Sequence, residues 1–157
     1  MAHEQVLEVK VQYALSRAGL PAARTLHRAA RAAWRGGSDA GVLLRLVDAD
    51  EGAQLNLGFR GKQGATNVLS FPAPSEMNEA GSPRFLGDIV LCAPVLAKES
   101  AEQRKTLAGH FAHMVVHGML HLQGMDHQND AEAAAMETIE REILGGLGYP
   151  DPYKEIP

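Results

Sequence analysis

Positions 6 to 12 read VLEVKVQ, with apolar residues at 7, 9 and 11 and polar ones at 8, 10 and 12. That alternation is the period of a strand with one face buried. The pattern then turns helical. In LPAARTLHRAARAAW (20–34), Pro21 suits a first helical turn, and Ala22, Leu26, Ala29, Ala30 and Ala33 fall along one side. Arg24, Arg28, Arg31 and Arg35 share the other side, and Gly36 and Gly37 end the helix. GVLLRLVDA (41–49) is a second strand, apolar nearly throughout and so expected nearer the sheet centre.

Asp48 or Asp50 is placed to cap a short helix over 51–57, followed by a polar loop, GFRGKQGATN, and a strand, NVLSFP (67–72). APSEMNEAGSPR (73–84) has the composition of a loop, and FLGDIVLCA (85–93) is a fourth strand. Helices are predicted over 94–103, 105–122 and 130–146, with Asn129 or Asp130 capping the last and Gly145, Gly146 and Gly148 stopping it. The loop between the third and fourth strands is too short for a helical crossover, so that pair is expected to be antiparallel; the strands linked through helices can be parallel. The fold class that follows is α+β, a small mixed four-stranded sheet packed with about five helices. With no repeat, low-complexity tract or linker, residues 1–157 read as a single domain.

Composition narrows the function. A hydrophobic fraction of 45% with 22% charged residues is that of a globular protein, and no apolar run approaches a membrane span. MAHEQVLEVKVQ lacks the basic and apolar regions of a signal peptide. Cys92 is the only cysteine, which excludes an internal disulfide and a Cys-rich zinc knuckle and points to a reducing cytoplasm. The net charge of −4 argues mildly against a nucleic-acid partner. Yet residues 1–62 carry nine Lys/Arg against six Asp/Glu, and residues 63–157 carry six against thirteen, so a basic face on an acidic protein is allowed. Aromatics are only 5%, so there is no broad stacking platform; Phe71 reads as core before it reads as a base-stacking ring.

The chemistry concentrates in HGMLHLQGMDH (117–127), which holds three of the seven histidines. Residues four apart on a helix lie about 40° apart around the axis, so His117 and His121 point side by side. Gly124 is suited to reverse the chain and return His127 beside them. Three neutral imidazoles suit a tetrahedral zinc with a fourth position open, although nickel and copper accept the same ligands. The spacing His-x3-His-x2-Gly-x2-His is that of metzincin peptidases, in which a glutamate following the first histidine is the general base; here that position is Gly118. His113, one turn earlier, reads as a hydrogen-bonded histidine near the site before it reads as a fourth ligand. Asp126 has two readings, an acceptor that orients an imidazole or a cap on the chain reversal.

HMVVHGMLHLQGMDH (113–127) and FRGKQGATNVLSFP (59–72), with LGDIVLC (86–92) and GYPDPY (148–153), resemble the YbeY family of bacterial metal-dependent endoribonucleases of rRNA maturation. The likeness spans most of 59–153, while the first 50 residues match in element order more than in sequence. The resemblance implies zinc held by His117, His121 and His127 and a functional arginine at Arg60. It further implies single-strand-specific cleavage in 16S rRNA 3′-end processing and ribosome quality control, with small-subunit components and an assembly GTPase as partners. Two other readings stand beside it: a non-catalytic assembly factor with a structural zinc, and a metal hydrolase of another substrate such as a peptidase.

Overall fold

The computed structural model describes residues 6–78 and 83–154. Residues 1–5, on which the signal-peptide reading partly rests, and the middle of the 73–84 loop lie outside the described residues. β1 (Leu7–Tyr13), β2 (Ala40–Val47), β3 (Val68–Pro72) and β4 (Arg84–Cys92) form one sheet in the order β1-β2-β4-β3. β1 and β4 each run parallel to β2, and β3 runs antiparallel to β4, pairing Val68 with Leu91 through Pro72 with Gly87. The helices are α1 (Ala23–Ala33), α2 (Ala49–Arg60), α3 (Ala93–Glu102), α4 (Leu107–Leu122) and α5 (Asp130–Gly146). The mixed four-stranded α+β architecture is therefore the one expected.

Burial explains the layering. Leu26, Ala29, Ala30 and Ala33 of α1 are fully buried in the same cluster as Phe111, Val115 and Met119 of α4 and Leu44, Leu46, Ile89 and Leu91 of the sheet. Small side chains on α1 let the helices approach closely over this face. On the other face Val47, Leu69, Val90 and Cys92 form a second, smaller cluster, flanked by Leu55 of α2 and by Phe71.

Several boundaries differ from the sequence expectation. β2 stops at Val47 because Asp48 leaves the strand to cap α2, accepting the Glu51 N–H at 2.9 Å. α2 runs to Arg60 rather than 57, and Gly61 closes it at φ 69°. Arg60 is thus the last residue of a helix, not a residue of the expected loop; Asn56, buried beneath this last turn, donates to the Gly64 carbonyl at 2.8 Å and ties the chain there. Ala22 is exposed and stands outside α1 as its N-cap. Among its described residues the loop after β3 contains a 3-10 turn, Ser75–Met77. Of Asn129 and Asp130, Asn129 is the cap of α5, accepting the Glu132 N–H at 2.9 Å; α4 is capped by Thr106, which the sequence reading did not single out and which accepts the Gly109 N–H at 3.0 Å.

Candidate metal centre and RNA cleft

α4 ends one residue after His121. Gly124, at φ 95°, then reverses the chain, with its N–H donating to the His121 carbonyl at 3.0 Å and the Met125 N–H reaching back to the Leu120 carbonyl at 3.0 Å. This left-handed terminus is open to glycine at little steric cost, and it swings His127 back onto the helix it has just left. The Asp126 carboxylate accepts the His127 backbone N–H at 2.8 Å, so of its two readings the cap on the reversal is the one seen.

The three imidazoles converge. Ring centroids lie 4.5 Å apart for His117 and His121, 5.0 Å for His121 and His127, and 5.4 Å for His117 and His127. One ligand nitrogen from each falls within 4.8 Å of the others, and His117 Nε2 stands 3.0 Å from His121 Nε2. Tetrahedral bonds of about 2.0–2.1 Å to one ion set nitrogen pairs about 3.3 Å apart, so this donor set fits zinc with small adjustments. Burial lowers the His121 pKa, helped by the charges of His117 and His127 and opposed by Asp126. A lowered pKa keeps the lone pair that a ligand needs.

Behind the triad lies a group that the sequence reading missed. Glu140 of α5 is fully buried, and its Oε1 accepts from His117 Nδ1 at 2.6 Å. Its Oε2 accepts from His113 Nε2 at 2.8 Å and from the Tyr153 hydroxyl. Burial by itself raises a carboxyl pKa, but these hydrogen bonds outweigh it and hold Glu140 at about 2. With the Nδ1 proton of His117 committed to Glu140, its Nε2 lone pair is left facing the other imidazoles, the arrangement by which a carboxylate fixes the tautomer of a metal-binding histidine. His113 is accordingly a buried histidine on Glu140 and not a fourth member of the cluster. His110 points elsewhere, onto Glu99 at 2.9 Å. Sequence did hold a signal: Met136, Glu140 and Leu144 are the buried residues of α5, spaced four apart, with one carboxylate interrupting an apolar stripe.

Gly118 answers to packing. A Cβ there would lie 2.9 Å from Ile89 Cγ2 and 3.0 Å from Cδ1, because α4 rests on β4 at this point. The position that carries the peptidase base in metzincins is here filled by the sheet.

Arg60 comes to the triad from the opposite face. It lines a cleft of about 500 Å3 together with His121, His127, Gly124 and Asp126. Beside it Phe59 is 49% exposed and packs its ring 4.2 Å from that of Phe71. Phe71 itself is packed against the second core cluster, as expected. The arginine face of α1 is exposed, but Arg31 is tied to the sheet, donating to the Leu7 carbonyl at 3.1 Å.

A family model described as "Endoribonuclease YbeY" matches residues 20–148. The chain belongs to the YbeY family. Curated YbeY relatives cover it almost end to end. One named "Endoribonuclease YbeY" from Xanthomonas oryzae pv. oryzae is 54% identical over 150 residues, 94% of this chain and 93% of its own length. Another of that name from Stenotrophomonas maltophilia is 53% identical over the same shares. The solution structure of TM1509 from Thermotoga maritima superposes with a TM-score of 0.56 at 23% identity, covering 94% of this chain and 99% of that one, and so shares the fold. Among the described residues no helix is long and apolar enough to cross a membrane.

Proposed function

We propose that this chain is a zinc-dependent endoribonuclease specific for single-stranded RNA, with the ion held by His117, His121 and His127 and Arg60 as the catalytic residue that meets the scissile phosphate. The observation that carries this reading is the shared cleft: Arg60 from the end of α2, His121 from the end of α4 and His127 from the reversal that follows open into one space. His117, His121 and His127 would hold the zinc, which would supply Lewis-acid activation of water near neutral pH, a role that requires no side chain from position 118.

The rest of the chemistry belongs to the protein. Cleavage of a phosphodiester builds negative charge on the equatorial oxygens, and a guanidinium meets two of them at once. Arg60 is the last residue of α2, anchored by that helix while its side chain lines the cleft. Glu140, accepting from His117 Nδ1 at 2.6 Å, orients the His117 ring. Among the described residues Asp126 is the one carboxylate lining the cleft, and its Oδ1 is engaged by the His127 backbone. Family membership supports 16S rRNA 3′-end maturation and ribosome quality control in the cytoplasm as the setting, with small-subunit components and an assembly GTPase as partners.

Metal content and cleavage of a single-stranded RNA, measured on the wild type, His121→Ala and Arg60→Glu, test the reading. Arg60→Glu is expected to keep its zinc and lose at least about 100-fold in cleavage rate, the scale of removing one preorganised donor. His121→Ala is expected to lose both. Cleavage at the same rate in all three proteins marks a contaminating nuclease, sinks the proposal and leaves a structural zinc in a non-catalytic assembly factor.

A further inference from the structure

A second cavity, of about 350 Å3, opens between the N-terminal end of α4 and the segment 149–154. Leu144, Tyr149, Pro150 and Pro152 give it a largely apolar wall. Its rim is cationic, with Arg104, Lys105 and Lys154. Among the described residues, the one carboxylate on the rim is Asp151, which is already engaged by Arg141 Nε at 3.2 Å and the Tyr153 N–H at 2.8 Å. α4 is 16 residues long and begins at this rim; Thr106 already accepts the Gly109 N–H at 3.0 Å, and the helix adds the partial positive charge of its N-terminal end. Positive charge therefore gathers at the mouth of an apolar slot whose size is at the lower end of the range for small-ligand sites.

The cavity wall also contains a polar group left over. His113 is 5% exposed and lines the cavity, and its Nδ1 has no hydrogen-bond partner among the described residues. Its Nε2–H is given to Glu140, so in the neutral ring Nδ1 is a bare buried acceptor waiting for a donor. An anion, a flat apolar body and a hydroxyl donor are the three parts of one ligand class.

We infer that this cavity binds a nucleoside phosphate, either free or at the end of an RNA chain, with the base against Tyr149 and Leu144 and the phosphate between the cationic rim and the start of α4. The choice of a nucleoside phosphate rests on the ribonuclease reading. No lining residue is shared with the Arg60 cleft, so the two sites can be separated by mutation.

Calorimetric titration of the full chain with adenosine 5′-monophosphate, adenosine and inorganic phosphate tests this. Arg104 has φ 55°, a conformation glycine adopts freely, so Arg104→Gly removes the charge without loosening the fold; Lys154 is exposed, and Lys154→Glu reverses a second charge. Wild type is expected to bind the nucleotide at one site, about tenfold or more tighter than phosphate or adenosine, and the double variant to lose about tenfold or more, the scale of one charge-assisted contact. Arg60→Glu is expected to bind as wild type does, which keeps this test independent of cleavage. A 5′-phosphorylated tetranucleotide that outbinds the mononucleotide in the Arg60→Glu protein identifies a chain end as the ligand, and the reverse order identifies a free nucleotide. The inference is overturned if the nucleotide does not saturate, if phosphate binds as well as the nucleotide does, or if affinity falls in Arg60→Glu and not in the double variant.

Discussion

His117 and Glu140 stand 23 residues apart in the chain and meet at 2.6 Å, Nδ1 to Oε1. The contact joins α4 to α5 directly behind the imidazole cluster and turns the ring so that Nε2 faces its neighbours. Glu140→Gln keeps the shape but places an amide N–H group among donors. Outer partners of this kind typically carry about 10–100-fold in metal affinity, and that loss is expected here. Competition against a chelating dye measures it; an unchanged affinity would show that the His117 tautomer is set in another way.

The same carboxylate sets an acid limit. Its pKa is drawn from 4.5 to about 2, so the unfolded chain takes up the proton first as pH falls. Its stabilising effect is complete above 4.5 and is lost progressively toward 2. His110 acts in the same direction at a higher pH: burial, opposed by Glu99, lowers its pKa from 6.5, so stability declines as pH falls below that value. Urea unfolding of the metal-free protein across this range is expected to show both declines. In Glu140→Gln the lower one should be gone; if it persists unchanged, other carboxylates are responsible.

Gly118→Glu would restore the sequence of a metzincin. It is expected instead to cost at least about 3 kcal/mol, since the side chain meets Ile89 and brings an unpaired charge into a buried position. Thermal unfolding and casein cleavage read the two consequences. A variant as stable as wild type that gained peptidase activity would refute the packing account of this glycine.

Zinc at about 100 times its dissociation constant should stabilise the folded chain by about 2.7 kcal/mol, since the triad exists only when folded. For a chain of this size that is a rise in Tm of about 5–10 °C. His121→Ala should abolish the rise. A rise that persists in this variant would place the ion elsewhere.

Much of the metal centre was legible because it is local. His117 and His121 are aligned by helical period alone, and Gly124 returns His127 within six residues of His121, so eleven consecutive residues contain the geometry. The strands and most helices were legible for the same reason, through alternation, caps and glycines that act within a few residues. Element ends were less so: α2 runs past Gly58 to Arg60, held by the Asn56 contact to Gly64 that no local pattern displays.

The sequence by itself determined the three converging imidazoles and the mixed sheet, since each needs only short-range periodicity. Tertiary structure alone decided that Glu140 turns His117, that Ile89 fills the place of a general base, and that Arg60 shares the histidines' cleft. Each of these depends on where two distant elements cross, and a crossing is fixed by the packing of the whole core.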